Sequence, residues 1–237
     1  PHLTSPHLDY FSSHRSQVKS IIQTFLVDMQ PTVIAVSTSA GQVAKSWKRW
    51  LEDVAMEAVQ QHRQEREFDE DEDDDVEWEP EVIHVVDDIG HIFAQSKRSE
   101  AEFPEYAMSL RKAISLARYV QEPLAELTYM WAQGVGAGMR GEEMLYLNLH
   151  PLWKDVNAKH LLNRLERALI TSVNDVGVDV NLAAMHTHRA SMLAFVCGLG
   201  PVKAHALQQV ISRLKDGGLE SRAALSEKNL LKPKVFA

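Results

Sequence analysis

The sequence has one cysteine, no long apolar run and no overall excess of basic residues, and each absence excludes a class of protein. With only Cys197, the chain forms no internal disulfide, which fits a reducing compartment such as the cytosol or the nucleus. No run of about 18 apolar residues is present to span a bilayer, and the first residues lack the pattern of a signal peptide. We expect no membrane association, and we expect Cys197 to be a small buried residue rather than a nucleophile.

The net charge of −8 hides an uneven distribution of charge along the chain. Residues 65–79 (EREFDEDEDDDVEWE) contain eleven acids and one arginine, so the remainder carries a net charge of +2. Residues 185–237 contain eight lysines and arginines against three acids. The chain is therefore a near-neutral body with one acidic insertion and one mildly basic end. The insertion, about residues 65–80, is too polar to form a core, and we expect it to be disordered.

Helical and strand patterns alternate in the first half of the chain. Apolar residues recur at helical spacing in three segments, which run from Ser12 or Ser13 to Met29, onward from Gln42, and from Pro104 to Gln121. Two short β-branched runs between them predict buried strands, at residues 32–37 (TVIAVS) and 81–87 (EVIHVVD). This order implies parallel strands with right-handed crossovers, so residues 1–122 are predicted to form an α/β domain.

After residue 122 the sequence predicts helices only. Helical spacing recurs in residues 124–132 and 157–173, and twice more around a glycine-rich turn. The stretch 134–141 (GVGAGMRG) follows a helix rather than a strand and lacks the lysine–hydroxyl ending of a phosphate loop, so we interpret it as a flexible connector. Residues 123–237 are therefore predicted to form an all-helical domain.

A glycine hairpin lies between the last two of these helices, at residues 196–204 (VCGLGPVKA). Gly198 suits the left-handed conformation that ends a helix, and Pro201 suits the first turn of the next. Leu199 is expected to point into the core, and Gly200 to leave the backbone open to a close approach. This pattern is typical of a helix-hairpin-helix, which offers N–H groups and a helix N-terminus to a nucleic-acid phosphate. A tight turn with only a packing role is the alternative.

If the hairpin binds nucleic acid, backbone amides and nearby cations are the groups that can do so. The candidate residues are Gly198, Gly200, Val202 and Lys203, with Arg189 and Arg213 as weaker candidates. Such a contact is independent of base sequence and weakens strongly with salt. Because only one lysine lies close to the turn, we expect low affinity from this chain alone.

Three segments occur together in the order found in one known family. They are residues 173–181 (VNDVGVDVN), the hairpin, and residues 217–225 (GGLESRAAL). The first half adds YFSSHRSQVKSIIQTFLVDMQPTVIAV, FPEYAMSLRKAISLARYVQEPL and LNLHPLW. Together they resemble the Tex family, and in particular its eukaryotic branch, the suppressor-of-Ty six transcription elongation factors and histone chaperones. The CGLG form of the hairpin and the acidic insertion favour that branch.

The resemblance implies both a fold and a cellular role. The first half is implied to be a YqgF-like domain of ribonuclease-H-like fold without its first three strands, and the second half a helix-hairpin-helix region. The implied partners are the RNA polymerase II elongation complex and histones, with weak DNA or RNA binding, and the implied location is the nucleus. The chain is then the central part of a longer protein. Lys232 stands where a second hairpin usually has glycine, which argues against a phosphate contact there.

Nuclease chemistry is the alternative that a ribonuclease-H-like fold suggests. Such nucleases hold two divalent metals with carboxylates that converge from separate elements. The first predicted strand ends in VSTS without an acid, the third predicted helix places no carboxylate to complete a site, and Asp87 and Asp88 are one pair without partners. We therefore expect a non-enzymatic scaffold with no catalytic residue, metal or cofactor. A nuclease or resolvase-type DNA-processing enzyme and a purely protein-binding scaffold are the alternatives.

The acidic insertion has two alternative roles. It is either a solvated loop between a helix and a strand, or a segment that contacts basic histone surface or mimics nucleic-acid phosphates through charge complementarity. The candidate histone-binding residues are Phe68, Asp69, Glu70, Asp71 and Trp78.

Overall fold

The computed structural model describes residues 15–66, 78–131, 141–147, 149–214, 218–228 and 230. The chain divides into two compact units, unit 1 (residues 1–117) and unit 2 (residues 118–237). The sequence predicts a boundary at residues 122–123, five residues further along the chain. Lys232 and four of the candidate histone-binding residues, Phe68, Asp69, Glu70 and Asp71, lie outside the described residues, as does most of the predicted connector.

Unit 1 contains a two-stranded parallel sheet with helices before, between and after the strands. In chain order its elements are α1 (Arg15–Met29), β1 (Val33–Ser37), α2 (Gln42–Arg66), β2 (Glu81–Val85), α3 (Asp88–Ala94), α4 (Lys97–Glu102) and α5 (Met108–Gln121). The strands pair in parallel, with Val33 opposite Glu81 and Ser37 opposite Val85. The mixed α/β class and the parallel pairing are confirmed. The short helices α3 and α4 were missing from the sequence prediction, and the ribonuclease-H-like fold stays a prediction.

The core of unit 1 forms where α1 packs against α2. Its buried side chains recur at helical spacing on both helices, Val18, Ile22 and Leu26 on α1 and Trp50, Val54, Ala55 and Ala58 on α2. Ile21, Met29 and Val43 belong to the same apolar pattern, but their side chains are exposed. The buried stripe of α1 follows one i, i+4 row and is narrower than the apolar pattern suggests.

Trp78 ties the chain that follows the acidic insertion to this core. Its indole N–H donates to the backbone carbonyl of Pro31 at 2.9 Å, and its ring packs edge-on against His62 with centroids 5.8 Å apart. The side chain is half-buried against the α1–α2 cluster. The structure thus gives Trp78 a packing role within unit 1, and histone binding by this residue stays a prediction.

Unit 2 is helical throughout its described residues. Its α-helices are α6 (Pro123–Trp131), α7 (Ala158–Val176), α8 (Val180–Met185), α9 (Thr187–Ala190), α10 (Gly200–Ile211) and α11 (Ala223–Glu227). Three 3-10 segments accompany them, Glu142–Tyr146, Pro151–Asp155 and Ser191–Phe195. No helix in the described ranges combines the length and the apolar character that a bilayer crossing requires.

Substitution of Trp78 tests its packing role. We expect Trp78→Ala to lower the free energy of unfolding of unit 1 by about 2 to 3 kcal/mol, because it removes a hydrogen bond and leaves a cavity beside the α1–α2 cluster. Urea unfolding followed by far-UV circular dichroism measures the change. The matched control replaces residues 67–77 by glycine and serine at equal length, which we expect to leave the stability unchanged. Equal stability of Trp78→Ala and the parent chain contradicts the assignment.

Candidate nucleic-acid interface

The hairpin at residues 196–204 has the backbone that its glycines predict. Gly198 has φ 87° and Gly200 has φ 65°, both in the left-handed region that favours glycine. Leu199 between them is buried in a cluster with Leu207 and Leu219. A Cβ placed on Gly200 meets nothing within 4 Å, so this side of the turn is open. The left-handed Gly198, the inward Leu199 and the open Gly200 are therefore confirmed.

The segment that enters the hairpin is shorter and tighter than the predicted helix. α9 has only four residues, and the 3-10 segment Ser191–Phe195 continues from it to the turn. On the other side, α10 has twelve residues with Pro201 in its first turn. The two elements around the hairpin are thus unequal, and only α10 has the length to project a helix dipole.

The first turn of α10 offers backbone donors to an anion. No side chain caps this helix at its N-terminus. Because the first N–H groups of an α-helix have no acceptor within the helix, those of Gly200 and Val202 are available at the open side of the turn. The positive end of the helix dipole lies at the same place. This geometry can accept one phosphate group.

Asn174 attaches the hairpin to α7. Its side-chain oxygen accepts from the N–H of Cys197 at 3.0 Å, and its amide nitrogen donates to the carbonyl of Phe195 at 2.9 Å. Its amide nitrogen also donates to the carbonyl of Ile170 within α7. The Cys197 side chain is exposed, which corrects the expectation that it is buried, because this attachment fixes its backbone rather than its thiol.

Asn181 makes a similar two-point attachment to the third motif. Its side-chain oxygen accepts from the N–H of Leu219 at 2.8 Å, and its amide nitrogen donates to the carbonyl of the same residue at 2.9 Å. A Cβ on Gly218 would lie 2.7 Å from that oxygen, so the attachment requires glycine there. Asp179 caps α8 by accepting from the N–H groups of Asn181 and Leu182. Residues 173–181 are thus the support of the hairpin.

The two asparagines are the site residues that the sequence analysis missed. The signal that could have found them is their position, Asn174 in the last turn of a helix that ends at Gly177 and Asn181 two residues after the helix cap Asp179. At such positions a carboxamide reaches neighbouring backbone more readily than it extends a helix.

The cations assigned to the hairpin differ in their availability. Lys203 lies at the turn, but its ammonium donates to the carbonyl of Gly198 at 2.8 Å. Arg189 forms an ion pair with Glu122, with 3.1 Å between Nε and Oε2. Arg213 is exposed two residues beyond the other end of α10, a helix about 18 Å long. Lys203 therefore lies at the hairpin, whereas Arg213 lies away from it. The charge of Arg189 is compensated by Glu122.

A second polar cluster lies in unit 1, where the two parallel strands end. The buried carboxylate of Asp87 accepts from the hydroxyl of Ser37 at 2.5 Å and lies against the ammonium of Lys112. His91 lies 3.4 Å from the same carboxylate oxygen. Burial raises the pKa of Asp87, but hydrogen bonds from Lys112, Ser37 and Ser39 outweigh it and lower the pKa to about 2. Asp87 is therefore a charged group with its own counter-ion.

This cluster differs from the metal site of a nuclease. A two-metal site needs several carboxylates around the ions, whereas here one carboxylate is surrounded by two hydroxyls and an ammonium. Across the described ranges, no group of three or more histidine, cysteine, aspartate or glutamate side chains could hold a metal ion. The described residues therefore offer no group of side chains that could bind the metal ions of a nuclease.

Comparison with known protein families gives two matches, which divide the chain between them. The family model described as "Holliday-junction resolvase-like of SPT6" matches residues 12–131. The model described as "Helix-hairpin-helix motif" matches residues 142–237. The second match contains the hairpin and all three of the motifs joined by Asn174 and Asn181.

Curated relatives are similar over most of this chain but over little of their own length. The "Suppressor of Ty 6 homolog" of Caenorhabditis briggsae is 36% identical over 155 residues, which is 65% of this chain and 10% of the relative. "Transcription elongation factor SPT6" of Drosophila melanogaster is 33% identical over 161 residues, 68% of this chain and 8% of the relative. The Arabidopsis thaliana "Transcription elongation factor SPT6 homolog" is 31% identical over 189 residues, which is 80% of this chain and 11% of the relative. The chain spans about a tenth of the length of these relatives.

Substitution of Asn174 tests the attachment of the hairpin. We expect Asn174→Ala to lower the free energy of unfolding of unit 2 by about 1 to 2 kcal/mol, because the N–H of Cys197 and the carbonyl of Phe195 lose their partner. Hydrogen exchange at the Cys197 amide should also become faster. The matched control is Asn163→Ala, an exposed asparagine on the same helix whose side chain bonds to no other described residue. If both variants behave alike, Asn174 does not hold the hairpin.

The low pKa of Asp87 predicts a pH dependence of stability. Because the folded-state pKa of about 2 lies below the ordinary value of 3.8, the carboxylate stabilises the fold above about pH 4, and this contribution is lost as the pH falls towards 2. Between pH 5 and pH 2 the loss should be about 2 kcal/mol. The double variant Asp87→Asn, Lys112→Met lacks both charges. Over the same pH range its free energy of unfolding, measured with urea, should fall by about 2 kcal/mol less than that of the parent chain. Parallel pH profiles for the two chains would contradict the assignment.

Proposed function

The chain belongs to the family of the Holliday-junction resolvase-like domain of SPT6, and from this membership we propose that it is a non-enzymatic scaffold within a transcription elongation factor. In this proposal the chain is the central part of a longer nuclear protein. That protein acts with the RNA polymerase II elongation complex on chromatin and handles histones. The names of the relatives support the elongation role, and the net charge of −10 in residues 65–79 supports contact with basic histone surface.

The absence of catalysis in this proposal rests on the Asp87 cluster. A resolvase-like fold needs metal-binding carboxylates to cut a phosphodiester, whereas Asp87 is neutralised by Lys112 and bonded to Ser37. Similarity to a resolvase in fold does not imply catalytic activity when the metal-binding carboxylates are missing. We therefore assign unit 1 a structural role and no catalytic residue.

Unit 2 is proposed to make a contact with nucleic acid that is independent of base sequence. The observation that supports it is the open, uncapped first turn of α10, where the N–H groups of Gly200 and Val202 are presented at the turn formed by two left-handed glycines. Asn174 and Asn181 fix this turn before any ligand arrives, so little ordering is needed on binding. Lys203 adds the one nearby charge, and it can exchange the Gly198 carbonyl for a phosphate oxygen.

A purely protein-binding role is the second candidate, and a specific observation favours it. Two cations near the hairpin already have partners in unit 2. Lys203 donates a hydrogen bond to the Gly198 carbonyl, and Arg189 forms an ion pair with Glu122. A hairpin whose nearest cations are already bonded within unit 2 serves equally well to pack against a neighbouring domain. The two candidates differ in whether a charge change at the turn alters binding to DNA.

A charge reversal at the turn tests the proposed contact. We expect Lys203→Glu to weaken binding of the chain to duplex and single-stranded DNA and to reduce the slope of log K against log salt by about one, since one phosphate contact is lost. Fluorescence anisotropy with labelled 20-nucleotide DNA, repeated at several salt concentrations, measures the affinity and its dependence on salt. An acid in the first turn is favourable for α10, so the variant should fold.

The control for this experiment is Arg213→Glu, which makes the same charge change at the other end of α10. A specific contact predicts a larger loss for Lys203→Glu than for Arg213→Glu. Equal losses indicate a general effect of net charge, and no loss in either variant indicates that the hairpin only packs. Both of these results reject the phosphate contact at the turn.

A further inference from the structure

α7 presents a row of cations on the side turned away from its core contacts. Its buried residues are Leu162, Leu169 and Val173, which lie along one face of the helix. Four basic side chains are exposed, Lys159, His160, Arg164 and Arg167. At 3.6 residues per turn these four fall within an arc of about 140°, and the exposed acid Glu166 lies about 20° outside it, beside Lys159. We refer to these four residues as the α7 basic face.

The three permanent charges of this face have no internal counter-ion in the described part of the chain. The ion pairs found there join other cations, such as Lys19 with Glu57 and Arg189 with Glu122. The side chains of Lys159, Arg164 and Arg167 form no hydrogen bond or ion pair with any described residue. Their charge is therefore directed to the solvent, unlike the charges at the hairpin.

The order of charges along α7 is the reverse of the order that stabilises a helix. Acids are favourable in the first turn and bases in the last, because of the helix dipole. α7 has no acid in its first turn and no base in its last, while Lys159 lies in the first turn and Asp175 in the last. The Asn157 side chain already caps the helix by accepting from the N–H groups of Lys159 and His160. Cations at the positive end of a helix dipole lower helix stability. Such an arrangement is expected where a bound anion compensates the positive charge.

The face has no apolar component. Among the described residues of α7, the one large apolar side chain that is strongly exposed is Val176 at its end, outside the arc of the cations. A protein partner would need an apolar centre to bury, since interfaces between proteins lose charged residues at their core. A phosphate backbone needs only spaced cations, and two of these three are arginines, which bind phosphate through two parallel hydrogen bonds. The chemistry thus favours a nucleic acid over an acidic protein segment.

We infer that the α7 basic face binds the phosphate backbone of a nucleic acid, without reading its bases. Lys159 and Arg167 lie eight residues apart, about 12 Å along the helix. This is close to the rise of three to four nucleotides along one strand of a duplex, so the three charges can meet neighbouring phosphates. The inference extends the proposed nucleic-acid role of unit 2, but it does not depend on the hairpin.

A charge-neutralising variant of the full 237-residue chain tests the inference. The triple change Lys159→Gln, Arg164→Gln, Arg167→Gln should weaken binding to a 20-base-pair duplex and to single-stranded RNA at least tenfold at low salt. The slope of log K against log salt should become shallower by about two to three. Glutamine is a good helix former and removes unfavourable charge from the first turns, so the variant should unfold in urea at the same or higher concentration.

The matched control removes three exposed cations elsewhere, in the triple variant Lys45→Gln, Arg49→Gln, Lys97→Gln. The inference requires a much larger loss of affinity in the α7 variant than in this control. Equal losses overturn it, because they show that net charge alone is responsible. Loss of binding to a synthetic peptide of residues 65–79 with unchanged binding to DNA and RNA also overturns it, in favour of an acidic protein partner.

Comparison with Lys203→Glu separates this inference from the hairpin contact. If the α7 variant loses affinity and Lys203→Glu does not, the basic face binds nucleic acid and the hairpin only packs. If Lys203→Glu loses affinity and the α7 variant matches its control, the inference about α7 is overturned while the hairpin contact stands.

Discussion

The side-chain amide of Asn174 holds the hairpin, and the arrangement of unit 2 depends on it. A turn built from two left-handed glycines has few side chains of its own to fix it. A carboxamide presents one acceptor and one donor side by side, so it can satisfy the N–H of Cys197 and the carbonyl of Phe195 together. Asn181 repeats this arrangement at Leu219. Two asparagines therefore join three separate segments, and this physical link explains why the three motifs occur together.

The positive charge of unit 2 is divided between groups that bond to other residues of the unit and groups that do not. Lys203 and Arg189 stabilise the structure around the hairpin, whereas the cations of α7 have no internal use. α7 connects the two features, because its last turn carries Asn174 and its first turns carry the exposed charges, about 22 Å apart. A long polyanion can meet both, and a single bound phosphate cannot.

A polar cluster in unit 1 lies where the two parallel strands end. The carboxyl ends of its two parallel strands carry Ser37 and, two residues after β2, Asp87. In this chain Lys112 places an ammonium against that carboxylate, so the pair is neutral as a whole and needs no metal. The cluster thus places a charge-compensated pair at the strand ends, where it stabilises the unit.

Local chemistry made much of this protein predictable from its sequence. Helical periodicity, the two β-branched strands and the turn at Gly198 all depend on residues a few positions apart, and the structure confirms them. Other features depend on which distant segments meet, and no local pattern contains that information. Trp78 bonds to a carbonyl 47 residues away, Cys197 is exposed because Asn174 holds its backbone, and Lys203 turns back onto the hairpin. The sequence by itself thus determined the elements and the hairpin, and tertiary packing decided which of its polar side chains remain available to a partner.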